Sequence, residues 1–200
     1  MIQTILFDLG NVLVHFSEDK LQRQLAKALN ITTPKKSIFH QGIRYLYETG
    51  RINDKELCDY LSLHAEEKSV SHKTILHAFS DIFWPNSSVF PVIRSLSEQG
   101  VRLILLSNTS KAHYTFIRKK YPVLEWFHDV VLSYKVGAVK PSRQIFETAL
   151  IAAQCPVENC FYTDDTEEHI KAARKYRIDA ELFTNTETLI EQLKQRGITI

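Results

Sequence analysis

The sequence predicts an α/β fold: a parallel sheet with a helical insertion after its first strand. Three observations carry this. Short apolar runs of strand length recur, helical patterns separate the later ones, and a long stretch after the first run shows only helical periodicity. Strands alternating with helices of this length imply right-handed βαβ crossovers and a sheet covered on both faces.

The first strand is read at Thr4 to Phe7, and Asp8 follows it directly. An ionised carboxylate is costly inside a buried strand, so Asp8 belongs at the carboxyl end, facing a cleft. Gly10 and Asn11 then let the backbone turn tightly. From about Glu18 to about Phe83 no strand pattern appears. Lys20 to Leu29, Pro34 to Tyr47, Asp54 to His64 and His72 to Ile82 read as amphipathic helices. Asn53-Asp54, with Glu56 close behind, marks a helix start. An insertion at this point hangs over the sheet edge where ligands bind. It reads as a lid, or alternatively as a subdomain that only adds stability. The expected division is residues 1–16 with 86–200 as core and 17–85 as insertion, with Trp84 to Ser88 as the returning hinge.

The later strands are expected at Arg102 to Leu106, Val130 to Leu132, Cys160 to Thr163 and Ala180 to Phe183. The helices between and after them are expected at Ser88 to Gln99, Gln144 to Gln154, Glu168 to Lys175 and Glu187 to Arg196, the last stopped by Gly197.

Composition narrows the function. Two hundred residues suffice for one large domain, or one with a modest insertion. A net charge of +2, from 25 basic and 23 acidic residues, gives no nucleic-acid footprint and no acidic tail. The three cysteines, Cys58, Cys155 and Cys160, show no C-x-x-C spacing, so neither a disulfide framework nor a zinc site is expected. The amino end lacks a secretory pattern, and Leu103 to Leu106 is too short to span a bilayer. A soluble, cytoplasmic protein with no membrane partner is expected. No sustained heptad or large apolar stripe speaks to oligomeric state.

Three further polar points fall at strand ends. Ser107-Asn108-Thr109 closes one strand before a helix, a good place to hold a phosphate, or simply a helix cap. Lys140 precedes Pro141 and a helix; it reads as a lysine reaching over the sheet edge to neutralise two anions, or as an exposed loop residue. Asp164 and Asp165 follow another strand. With Asp8 they make a hard-oxygen cluster suited to Mg²⁺; otherwise they cap the helix that begins near Glu167.

In chain order Asp8, Ser107, Lys140 and Asp164-Asp165, the sequence resembles the haloacid dehalogenase-like hydrolase superfamily over essentially its whole length. Phe7-Asp8-Leu9-Gly10-Asn11-Val12, the cap segments Phe39 to Gly42 and Tyr47 to Ile52, and Leu106 to Thr109 resemble a narrower branch. That branch holds bacterial sugar-phosphate phosphatases, including the alpha-glucose-1-phosphate phosphatases. The resemblance implies a Rossmann-like parallel-sheet core with a small helical cap. It also implies Mg²⁺-dependent hydrolysis of a small phosphorylated metabolite through an aspartyl-phosphate. Carried over by position, Asp8 is nucleophile and metal ligand, and the Gly10 carbonyl and Asp165 are further ligands. Asp164 sits beside the metal. Ser107 and the Asn108 N–H hold the phosphoryl oxygens, and Lys140 neutralises Asp8 and the phosphoryl group.

Two positions depart from the pattern. Most such phosphatases carry a second Asp where this chain has Gly10, and that side chain is their general acid. Losing such an acid typically costs about two to four orders of magnitude in rate. An anomeric leaving group needs the proton least, which suits a sugar 1-phosphate; a cap residue or His15 is another source. His169 stands where Asn or Asp is usual, and it is placed to orient Lys140 or a metal-bound water. Two other readings stay open: a metal-free 2-haloacid dehalogenase, and a protein that binds a phosphorylated ligand or a partner without turnover. Among cap residues, His40, Arg44, Tyr45, Tyr47 and Glu48 are candidates to face the site.

Overall fold

The computed structural model describes residues 1–32, 38–66 and 70–200. From the amino end, β1 (Thr4–Phe7) leads through a tight turn into β2 (Val14–Phe16). Then come α1 (Glu18–Ala28), α2 (Gln41–Glu48), α3 (Asp54–Ser62) and α4 (His72–Ser80). The chain returns through β3 (Phe83–Pro85), α5 (Phe90–Glu98), β4 (Arg102–Ser107) and α6 (Lys111–Lys120). It ends with β5 (Asp129–Leu132), α7 (Ser133–Val136), α8 (Arg143–Ala153), β6 (Cys160–Asp164), α9 (Glu167–Lys175), β7 (Asp179–Leu182) and α10 (Thr186–Gln195).

The main sheet runs β5-β4-β1-β6-β7, and every pairing in it is parallel. This is the expected Rossmann-like core. The chain builds outward from β1 on one side, then crosses to build the other, so β1 sits at the switch point where such sheets open a crevice. The register sets Phe7 beside Leu105 and Thr163, which carries Asp8, Ser107 and Asp164 to one edge.

Alternation along the strands fills both faces. Ile5, Phe7, Leu103 and Leu105 pack on one side, in a cluster continuous with the interior of the helical insertion. Leu6, Ile104, Leu106 and Tyr162 pack on the other, against α8 and α9. Burying both faces explains why these strands read as unbroken apolar runs.

The insertion is helical, as expected, and its neck is a two-stranded antiparallel ribbon. β2 and β3 pair antiparallel, Phe16 opposite Phe83 and Val14 opposite Pro85, so Trp84 and Pro85 belong to a strand. Asn86 then ties the returning chain to the first turn, its amide donating to the Val12 carbonyl at 2.9 Å and its N–H to that of Leu13 at 3.0 Å. The helix expected over Pro34 to Tyr47 starts at Gln41, capped by the His40 ring; residues 34–37 lie outside the described ones. The α3 start is a full capping box between Asn53 and Glu56. Among the described residues no helix is long and apolar enough to cross a membrane.

The cap seats on the core through stacked rings. Phe79 of α4 contacts Phe39 and Tyr47 within the cap and lies parallel to the His113 ring of α6 at 4.2 Å. The His113 Nε2–H donates to the Phe79 carbonyl at 3.1 Å, so one core side chain holds the cap by both stacking and a hydrogen bond. Gly50, at the end of α2, comes so near the core that an added Cβ would lie 2.3 Å from the Tyr134 carbonyl oxygen.

Candidate active site

Lys140 is the centre of the edge. Its ammonium donates to Asp8 Oδ1 at 2.6 Å, to Asp164 Oδ2 at 2.6 Å and to the Leu106 carbonyl at 2.9 Å. Its three donors thus meet three acceptors, two of them anionic. The side chain is 1% exposed, so it is no loop lysine in solvent. Asn108 fixes its backbone from both sides, donating to the Lys140 carbonyl at 3.0 Å and accepting from the Lys140 N–H at 2.7 Å. The expectation concerned the Asn108 N–H; the side chain has this separate task.

Asp164 is wholly buried and crowded with donors. Besides Lys140 it accepts from the Tyr162 hydroxyl, the Thr166 N–H at 2.8 Å and the His169 ring at 3.0 Å. It does not cap α9, whose N-cap is Thr166. His169 contacts Asp164 rather than Lys140. Asp165 is held by the Asn11 amide at 2.9 Å. Asn11 itself sits at φ 53°, in the left-handed region that Asn tolerates best among residues with side chains. Its sequence signal was turn chemistry alone; the bridge to Asp165 spans the chain and leaves no local trace.

Ser107 ends β4, and the cap of the following helix is Ser110, which accepts from the His113 N–H. Helix capping therefore does not occupy Ser107, Asn108 or Thr109. All three line a cavity of about 210 Å³ with Leu9 and Gly10. The cap closes the cavity with Glu18, Arg44 and Glu48. Arg44 and Glu48 are four apart on α2 and share its inner face. Tyr47 turns inward instead and donates to Asp54 at 2.7 Å, while Tyr45 is exposed. His15 of β2 packs near Trp84 of β3, at 5.9 Å between ring centres. Phe16, its neighbour on the strand, lines the cavity.

Electrostatics at the edge follow from burial and charge. Burial pushes the Asp8 carboxyl up, Lys140 pulls it down, and Asp164 adds repulsion; the net direction is upward. Burial also acts on Asp164, but Lys140 and His169 overcome it and hold the carboxyl below the usual range. Lys140 is kept charged by Asp8 and Asp164 against its own burial. Oxygens of Asp8, Asp164 and Asp165 lie within 4.8 Å of one another. Three carboxylates against one ammonium leave two negative charges uncompensated. A hard divalent cation fits that donor set.

Residues 2–177 match the family model for haloacid dehalogenase-like hydrolases. The chain belongs to that family. Solved structures agree in fold. The HAD family enzyme bt-2542 from Bacteroides thetaiotaomicron is 26% identical, with a TM-score of 0.81 over 92% of this chain and 94% of that one. A magnesium complex of that enzyme, also 26% identical, superposes at 0.77 over 92% and 93%. A HAD-like family hydrolase from Porphyromonas gingivalis is 23% identical, at 0.79 over the whole of both chains. This hydrolase thus carries the family's parallel core and helical cap, with its acidic residues and lysine gathered at one sheet edge.

Proposed function

We propose that this hydrolase is a Mg²⁺-dependent phosphatase of a small phosphorylated metabolite, a sugar phosphate such as a hexose 1-phosphate. The observation that carries the reading is the Lys140 ammonium bridging Asp8 and Asp164, with Asp165 alongside. On this reading Asp8 is a carboxylate nucleophile beside a fixed positive charge, and the three carboxylates are its divalent-cation site. The magnesium complex of the bt-2542 enzyme supports the choice of metal. The cavity supports the substrate class: about 210 Å³ is small for a ligand pocket, and its walls are mixed polar and apolar.

Asp8 attacks phosphorus in line, forming an aspartyl-phosphate that water then hydrolyses. Asp8, the Gly10 carbonyl and Asp165 would hold the ion, with Asp164 beside it. When bound, Mg²⁺ neutralises the phosphoryl oxygens and keeps the Asp8 carboxyl ionised against its burial. Ser107 and the Asn108 N–H receive the transferring oxygens, and Lys140 offsets the charge they carry. Asn108, holding Lys140 from both sides, sets that ammonium in place before substrate arrives.

The test is phosphate release over a panel of sugar phosphates with Mg²⁺, run beside Asp8→Asn. Turnover of a hexose 1-phosphate that Asp8→Asn abolishes is expected. Halide release from chloroacetate without metal, and no phosphate release, would replace this reading with a dehalogenase. Ligand-induced stabilisation without any turnover would replace it with a binding protein.

A further inference from the structure

We propose that Glu48 of the cap protonates the leaving oxygen as the phosphoryl group passes to Asp8, supplying what Gly10 lacks. The inference rests on the phosphatase reading above.

A side chain at position 10 has little room. A Cβ built on Gly10 would lie 3.1 Å from the Phe16 ring, so that ring already fills that direction. The proton must then come from elsewhere around the cavity that Gly10, Ser107 and Asn108 open into. Four ionisable side chains line it: Glu18, Arg44, Glu48 and His113. Arg44 does not release a proton in water. Glu18 is committed to Arg44, whose guanidinium donates to it at 2.6 Å. His113 stacks on Phe79 with Phe83 edge-on to it, and burial pushes its ring down to about 3, so the ring is neutral and its one N–H is already spent on the Phe79 carbonyl.

Glu48 differs from all three. Among the described residues no hydrogen bond holds its carboxyl. Burial pushes it up to about 7; Arg44 on the same helix pulls it down, and Glu18 of α1 pushes it further up. His113 of α6, which also lines the cavity, is neutral. A carboxylic acid poised near 7 is what general acid catalysis asks for.

The step balances. As the Asp8 oxygen bonds to phosphorus and the ester P–O bond breaks, the departing alkoxide takes the Glu48 proton and leaves as an alcohol. The Glu48 carboxylate then takes one proton from the water that attacks the aspartyl-phosphate, and phosphate leaves as the monohydrogen dianion. Glu48 and Asp8 are both restored. With this donor in place, the leaving group need not be an anomeric hydroxyl, and ordinary sugar alcohols come within range.

The test compares first-turnover release from β-glycerophosphate, whose alkoxide needs a proton, with that from para-nitrophenyl phosphate, whose phenolate needs it far less. Glu48→Gln should lower the first by about two orders of magnitude or more and the second by far less. In the native enzyme, kcat/KM on β-glycerophosphate should fall as pH rises through about 7, and Glu48→Gln should lack that limb. Gln keeps the shape of a carboxyl that burial already favours as neutral, and a thermal melt checks that the variant folds. Glu48→Asp, which keeps the acid on a shorter arm, should recover part of the alkyl-phosphate rate and the pH limb. Equal losses on both esters, or an unchanged pH limb, overturn the inference and leave the phosphatase reading intact. Absence of phosphate release from the native enzyme overturns the phosphatase reading itself.

Discussion

Lowering the pH should loosen this protein through one buried histidine. His113 is 9% exposed, stacks on Phe79 and donates a hydrogen bond to the Phe79 carbonyl. Burial is the main influence on its ring and drives the pKa from 6.5 down to about 3; the Phe79 carbonyl opposes that weakly, and Arg44 adds to it. The folded-state pKa is therefore depressed. Above 6.5 the ring is neutral in both states and the native packing is fully available. Below 6.5 the unfolded chain binds a proton that the folded chain refuses, so stability falls as the pH falls towards about 3. Each pH unit in that window is worth about 1.36 kcal/mol, which makes the loss about 2 kcal/mol by pH 5. Because His113 joins α6 to α4, the cost should be felt between cap and core. The perturbation is His113→Gln, which keeps an N–H donor and cannot titrate. Urea unfolding of both proteins at pH 7.5 and pH 5 gives the comparison. The variant loses stacking and is expected to be weaker at pH 7.5, yet its further loss on going to pH 5 should be about 2 kcal/mol smaller than the native protein's. Equal losses in the two proteins would refute the argument.

Two other substitutions test the packing of the site. Lys140→Met leaves Asp8 and Asp164 buried and facing each other without their common counter-charge, and should cost about 3–5 kcal/mol in urea unfolding, partly regained in Mg²⁺. A loss below about 1 kcal/mol would mean the ammonium does not hold the edge together. Gly50→Ala combines a φ of +67° with a Cβ 2.3 Å from the Tyr134 carbonyl, a backbone atom that no rotamer change can move. The left-handed strain alone is about 1–2 kcal/mol, so the melting temperature should drop by about 2 °C or more; an unchanged melt would show that the cap does not rest on α7.

Much of the site was legible because strands leave a local trace. A strand buried on both faces must be an apolar run, and an ionised residue is tolerated only where the run ends. Asp8, Ser107 and Asp164 stand at such ends, so their sequence positions already hinted at a shared edge. Lys140 carried a weaker trace, the dipeptide with Pro141, and its reach to two carboxylates came from the register of β4, β1 and β6. The β2–β3 pairing was not legible. Each strand has three residues, too few for alternation to register, and their pairing joins segments far apart in the chain. Phe16 beside Gly10 went unseen for the same reason.

The sequence by itself determined the alternation of strands and helices, the helical insertion after β1, and the four polar points that meet at one sheet edge. These depend on periods of two and 3.6 residues and on the cost of burying charge, which act over a few neighbouring residues. Only the tertiary structure decided which cap residues face the cavity, that His169 serves Asp164, that Asn108 holds the Lys140 backbone, and that the space beside Gly10 is taken by Phe16. Those outcomes rest on how helices from distant parts of the chain pack over one sheet edge. Side-chain contacts of that kind have no period and therefore leave no pattern to read.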